Sequence, residues 1–396
     1  MAVLLNPLDP EFQQYPYDKY TELRRDAPIY RHPAGFIGVS RYRDVVQVLT
    51  TPELFSSKAM GGMDMPAGTT DLNPSHGSLI GKDPPVHTKM RNVVNRGFTP
   101  RRIGKLEPRI HEVIDELFAE FAGTGQCELM SALASPMPVT MIAELLGLDT
   151  AMRDDFKRWA HSLMIGSTQM GDADQRLKSM ENVREFSRFM RTVTEERRKS
   201  PGNDLISLLI HAEGEEGILT PEEVVGFASL LLFAGSETTT NLIGNAVLAL
   251  LDHPEVLERV RRDPSLIPNV VEETLRYDSP IQLLMRLVVE DTELGGVELK
   301  TNSMVLTLLG SANRDEAQFE DPDRFDIDRN TQGHLGLGFG NHFCLGSALA
   351  RLQGKLALEA ILERMPNFEL ATSEPIARHG SLLVRGPAAL PLRFDA

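Results

Sequence analysis

Cysteine is scarce: two residues in 396. Two cannot make a disulfide framework, and their scarcity points to a reducing, cytoplasmic compartment. Long hydrophobic runs are missing as well. The longest, such as "FASLLLFAG" (227–235), fall far short of the roughly 20 residues that a bilayer requires, so no membrane span is expected. The N-terminal "MAVLLNPLDP" has no basic lead and meets proline early, which excludes both a signal peptide and an anchor. Positive charge is in deficit: the net charge is −15, which argues against non-specific nucleic-acid binding. No linker, low-complexity run or internal repeat divides the chain, so one domain over 1–396 is expected, although length alone would allow two or three. What is present is ample apolar material, 41% of residues, mostly in helical patterns. Short β-rich pieces stand near 28–40, 286–309 and 381–394. The expected fold class is therefore mainly α (α+β).

One of the two cysteines sits in unusual company. "GFGNHFCLGSALARLQGKL" (338–356) places Cys344 among Gly338, Gly340 and Gly346, and a helical apolar pattern follows through Leu345, Leu349, Leu352, Leu356 and Ala360. A thiol at a helix N-terminus meets unpaired N–H groups that favour thiolate, and flanking glycines let the backbone approach something large and flat. No second cysteine or paired histidine stands at zinc spacing. Cys127, in "GTGQCELM", reads as an ordinary small apolar side chain.

Gly340, His342, Cys344 and Gly346 resemble the haem-binding loop of the cytochrome P450 monooxygenases, and "CLGSALARL" resembles the helix after it. The resemblance implies haem b as cofactor, with Cys344 as the ligand of its iron, and a haem lying between a long central helix and the cysteine-loop helix. One departure is visible: Leu337 stands where the family usually has phenylalanine, while Phe339 is the nearby aromatic.

Four further segments fall in the family's order. In "LTPEEVVGFASLLLFAGSETTTNLIGNAVLALL" (219–251), Thr220, Pro221 and Glu223 predict a capped helix start, and a helix over 221–251 would be about 46 Å long. Its middle, "AGSETTT", is made of poor helix formers whose hydroxyls can open the helix locally, with Gly235 leaving room for a ligand. By resemblance this is the oxygen-binding motif, with Glu237 and Thr238 as catalytic proton-relay residues and Ala234 and Gly235 beside the cofactor. In "EETLRYDSP" (272–280), Glu273 and Arg276 alone would read as a solvated surface pair. They match the family's E-x-x-R motif, which makes them, with Arg324 of "DPDRFDIDR", a buried structural network. In "DPPVHTKMR" (83–91), His87 and Arg91 share a helical face. With Arg286 and His342 they are the expected partners of the haem propionates. The fourth segment, 281–315, alternates as strands do.

By analogy the substrate pocket takes Leu230, Phe233, Ala234, Leu283, Leu284, Leu382 and Leu383. The Gly-, Pro- and Met-rich loop 56–81 reads equally as an adaptable lid and as ordinary loop packing. None of these residues offers a charge to a substrate anion, so the expected substrate is a neutral, apolar small molecule. From Lys89 to Lys105 there are six basic residues and no acid, a fitting dock for an acidic redoxin or merely a solvated charge run. The resemblance then implies a cytoplasmic, monomeric monooxygenase that hydroxylates or epoxidises. Its electrons would come from NAD(P)H through a separate ferredoxin or flavodoxin and a reductase. A peroxide-driven peroxygenase of the same family and a non-catalytic haem-binding sensor are the alternatives.

Overall fold

In the computed structural model, which describes residues 6, 9–61, 78–168, 173–211, 219–379 and 381–395, the longest element is the helix Pro221–Asp252. Its start follows the expected chemistry. The Thr220 hydroxyl accepts from the Glu223 N–H at 3.2 Å, and the Glu223 carboxylate accepts from the Thr220 N–H at 2.8 Å. Two amides that lack a partner at any helix start are thereby satisfied. Most of the residues from Val224 to Leu250 are buried, as befits a helix that is apolar on nearly every face. Packed around this central helix are Pro136–Leu145, Arg153–Thr168, Ala173–Lys199, Ile267–Tyr277 and the cysteine-loop helix Ser347–Arg364.

The "AGSETTT" stretch does not open. It stays helical throughout, and two of its hydroxyls find acceptors without breaking the ladder, while Ser236 Oγ is buried with no partner among the described residues. Thr238 Oγ1 donates to the Ala234 carbonyl at 2.5 Å, and Thr240 Oγ1 donates across to the Ala134 carbonyl at 3.0 Å.

The strands form a small separate region. Five of them, β1 (Ile29–Arg31), β2 (Ile37–Val39), β3 (Phe55–Ser56), β4 (Leu283–Val288) and β5 (Met304–Leu308), pair in the order β1-β2-β5-β4-β3. Only β2 and β5 run parallel. The β4–β5 register sets Leu284 opposite Thr307 and Arg286 opposite Val305. The expected strand region 381–394 is mostly a turn: only Pro391–Arg393 is a strand. Before it the chain folds back on itself, with the His379 N–H donating to Gly386 at 3.0 Å and the Ala388 N–H to Ala377 at 2.9 Å. The mainly α (α+β) expectation holds. Among the described residues no helix is long and apolar enough to cross a membrane.

Candidate active site

The loop before Cys344 is closed by its own backbone. The Cys344 N–H donates to the Leu337 carbonyl at 2.8 Å, Gly338 to Leu335 at 2.9 Å and Phe343 to Gly340 at 3.1 Å. Gly340 has φ +66°, and a Cβ there would lie 3.0 Å from the Leu49 carbonyl oxygen, so glycine is required on both counts. The result stands Cys344 three residues ahead of the helix that begins at Ser347. The helix mouth pulls toward thiolate as expected, through the Gly346 N–H. Burial pushes the Cys344 thiol up, and this outweighs the opposing pull of the Gly346 N–H and of the Arg91 and Arg351 cations.

Cys344 borders a cavity of about 1500 Å³, part of it open to solvent. One wall is the cysteine side: Leu337, Gly338, Cys344, Gly346 and Leu349. The facing wall is the central helix, with Leu230, Phe233, Ala234, Gly235 and Thr238. Leu79 and Ile80, from the loop 56–81 that reads as a lid, also line the cavity, as do Phe98 and Ile142, which no sequence motif marked. Gly235 has a second demand on it, since a Cβ there would lie 2.6 Å from Ile142 Cδ1.

Two of the expected pocket residues stand elsewhere. Side chains alternate along a strand, so Leu284 and Arg286 of β4 face the cavity. Leu283 instead joins a separate core with Phe12, Tyr17 and Tyr20. In the C-terminal turn Leu383 lines the cavity while Leu382 packs on that separate core. Of the Met-rich loop, Met60 lines the cavity and its sulfur accepts from the Met285 N–H at 3.2 Å; residues 62–77 lie outside the described residues.

Cationic and ring groups gather on one rim. The His87 and His342 rings lie 4.1 Å apart, and His342 Nε2 is 3.0 Å from Ser57 Oγ. Burial and the cations around it push His342 down to about 3. Arg286 is 2% exposed, and its described hydrogen bond is to the Met285 carbonyl at 2.8 Å. No carboxylate pairs with it among the described residues, and burial lowers it to about 10. His87 Nε2 is buried without a partner. Arg91 lines the cavity and donates to the Phe343 carbonyl at 2.8 Å. A buried guanidinium and an orphaned ring nitrogen call for an anionic group. The set therefore fits a haem: a sulfur facing an apolar cavity, with donors on its rim for two carboxylates.

On the opposite wall, Glu237 is half-buried, and no hydrogen bond or ion pair holds its carboxylate among the described residues. Burial alone lifts it to about 7. Thr238 lines the cavity and Glu237 does not, as the roughly 100° step between neighbouring helix residues requires.

Beneath the cysteine side, Glu273 and Arg276 are fully buried and joined by two hydrogen bonds of 2.8 Å. The third member is not the expected side chain. Phe325 and Ile327 turn into the core, which sends the Arg324 side chain out to solvent; only its carbonyl takes part, accepting from Arg276 at 3.0 Å. Arg329, five residues on, comes back in, with Nε 3.5 Å from the Glu273 carboxylate.

The comparisons agree with this geometry. A cytochrome P450 family model matches residues 13–388. The 6-deoxyerythronolide B hydroxylase of Saccharopolyspora erythraea is 38% identical, over 96% of both chains. The solved structure of cytochrome P450 CYP109Q5 from Chondromyces apiculatus has a TM-score of 0.90 at 42% identity, covering 99% of this chain and 98% of that one. CYP109E1 from Bacillus megaterium, in complex with testosterone, has a TM-score of 0.89 at 36% identity, covering 98% and 100%. A glycine-cradled thiol faces a long helix across an apolar cavity, and with this likeness along its whole length the chain belongs to the cytochrome P450 family of monooxygenases.

Proposed function

We propose that this P450 takes electrons from NAD(P)H through a separate redoxin and reductase. With them it inserts one oxygen atom of O2 into a neutral, mostly apolar, mid-sized molecule. The observation that carries this reading is the cavity itself, with Cys344 on one wall, Thr238 on the other and leucine, isoleucine and phenylalanine between them.

The residues divide the work. Cys344 would hold a haem through its sulfur, and Arg91, Arg286, His342 and His87 would hold its carboxylates. Bound haem supplies the reductive activation of O2, which no amino-acid side chain can perform. A cation held at the sulfur would favour the ionisation that burial opposes, and the Gly346 N–H and Arg91 pull in the same direction. Thr238 presents a hydroxyl to the cavity. Its one hydrogen goes to the Ala234 carbonyl, so passing a proton inward requires the hydroxyl to turn away from Ala234 while its oxygen accepts the next proton. Glu237, lifted to about 7, gains and loses a proton near neutral pH, as a relay group must. The apolar walls offer no charged group on the central-helix side, which suits neutral substrates. The named relatives act on or bind such molecules: one hydroxylates 6-deoxyerythronolide B and another binds testosterone.

The test is spectroscopic. The reduced carbon monoxide complex shows the strongly red-shifted Soret band of thiolate ligation in wild type and in Cys127→Ala, and Cys344→Ala lacks it. Cys127 suits the control, because burial pushes its thiol up to about 12. The opposite pattern overturns the assignment. A spectral binding screen of terpenoids, steroids, macrolides and fatty acids, followed by product analysis, then reads out the substrate class.

A further inference from the structure

The central helix carries a polar stripe that its apolar packing does not need. Glu237, Asn241 and Asn245 stand at successive i, i+4 positions, neighbours on one face at about 6 Å intervals along the axis. Asn245 is satisfied: its amide donates to the carbonyls of Asp278 at 2.8 Å and Arg385 at 3.1 Å, and accepts from Arg378 Nη1 at 2.6 Å. Asn241 is not. It is 0% exposed, and neither its Nδ2 nor its Oδ1 has a partner. An unmade buried amide costs about 1–3 kcal/mol, and a leucine would fill the same space without that cost. The C-terminal turn lies directly over it, close enough that a Cβ on Gly386 would collide with the Asn241 side chain.

The stripe also has an outer end. Beyond Asn245 the Arg378 guanidinium, 13% exposed, pairs with Asp278 at 3.1 Å. Asp278 also accepts from Arg385 and from Tyr17, each at 2.6 Å. At the inner end, side chains on a helix lean toward its N-terminus, so the Asn241 amide covers the turn that bears Glu237. A two-sided amide with nothing to bond, between a partnerless carboxylate and a polar cluster that reaches the surface, is a seat for water.

We propose that Asn241 is a positioning residue that holds water between Glu237 and the Arg378–Asp278 cluster, so that protons enter the site from under the C-terminal turn. This rests on the reading of Glu237 as the relay carboxylate. The amides and the guanidinium orient the waters; the waters carry the protons.

The experiment uses the haem-loaded protein in three measurements. A high-resolution crystal structure is expected to show ordered water on Asn241, reaching toward Glu237; a dry Asn241 overturns the proposal. Substrate-free NADPH oxidation through a plant-type ferredoxin and its reductase then reads proton supply, because O2 takes two protons per peroxide or four per pair of waters. Asn241→Leu is expected to keep or raise the thermal midpoint and to leave the half-saturating ferredoxin concentration unchanged. It should lower the maximal rate on the order of tenfold and enlarge the solvent deuterium isotope effect. Asn241→Asp, which can still hold water, is expected to restore most of the rate; a merely structural amide would not produce that split. Wild-type rate and isotope effect in Asn241→Leu overturn the route. Should that variant not fold, the apolar Asn241→Val is read in the same way, together with the wild-type waters. Glu237→Gln is measured alongside. If it changes the isotope effect and Asn241→Leu does not, the route alone falls; if neither does, the relay reading falls with it.

Discussion

Glu237 is half-buried with no ion-pair partner among the described residues, and that has a thermodynamic signature separate from turnover. Its carboxyl is raised from 4.5 to about 7 by burial, so the folded state binds the proton more tightly than the unfolded chain. Below the unfolded value both states are protonated and the neutral group costs nothing. As pH rises from about 4.5 through about 7, the unfolded chain releases its proton first and the folded state loses relative stability. Glu237→Gln removes this loss. Its advantage over wild type should grow from nothing near pH 4.5 to at most about 3 kcal/mol above pH 7. Urea unfolding at pH 4.5 and pH 8 measures it, and a pH-independent difference would mean that the carboxylate is well solvated. At this scale the sequence was readable wherever one residue type is demanded by chemistry, as for Cys344 or Gly340. It misled where two arginines lie on one turn. Nothing in "DPDRFDIDR" says that Phe325 and Ile327 point inward and so turn Arg324 out. The consequence is testable: Arg324→Ala should change stability by less than about 0.5 kcal/mol. Arg276→Ala, which strands the fully buried Glu273, should cost about 3–5 kcal/mol.

Among the elements, the central helix was the most legible, because capping and length are local properties. Its capping box and its end near Asp252 needed no knowledge of what packs on it. The strands were less so. Phe55–Ser56, Gln126–Glu128 and Glu369–Leu370 are two or three residues long, too short for alternation to register. The face of β4 was likewise undetermined, since a shift of one residue exchanges Leu283 for Leu284. Gly235 shows how helix packing adds to a local motif. The sequence reads this glycine as room for a ligand, but Ile142 of the helix Pro136–Leu145 already occupies the place of its Cβ at 2.6 Å. Gly235→Ala should therefore destabilise by about 1–3 kcal/mol through overpacking. Adding Ile142→Val or Ile142→Ala should recover part of that, and a double-mutant cycle measures the coupling. Additive effects would mean that the two helices adjust independently.

For the molecule as a whole, the charge distribution matters more than the total of −15. The segment from Lys89 to Lys105 carries six basic residues and no acid, and the structure sets it on the cysteine side. Arg91 holds the carbonyl of Phe343, next to Cys344, at 2.8 Å, and the short helix Pro100–Gly104 packs on the cysteine-loop helix. Phe343 itself is 39% exposed, an apolar point within a basic field. An acidic redoxin would be steered here by its charge and would arrive close to the sulfur. Arg101→Glu with Arg102→Glu leaves the cavity untouched, so substrate-induced spectral shifts should keep their dissociation constants. The second-order rate of reduction by an acidic ferredoxin should fall on the order of tenfold at low ionic strength. The gap should narrow as salt rises, because the Debye length shrinks from about 10 Å at 0.1 M to about 3 Å at 1 M. Stopped-flow reduction across a salt series decides it: a folded double variant with the wild-type rate at every salt concentration would place electron entry on another face.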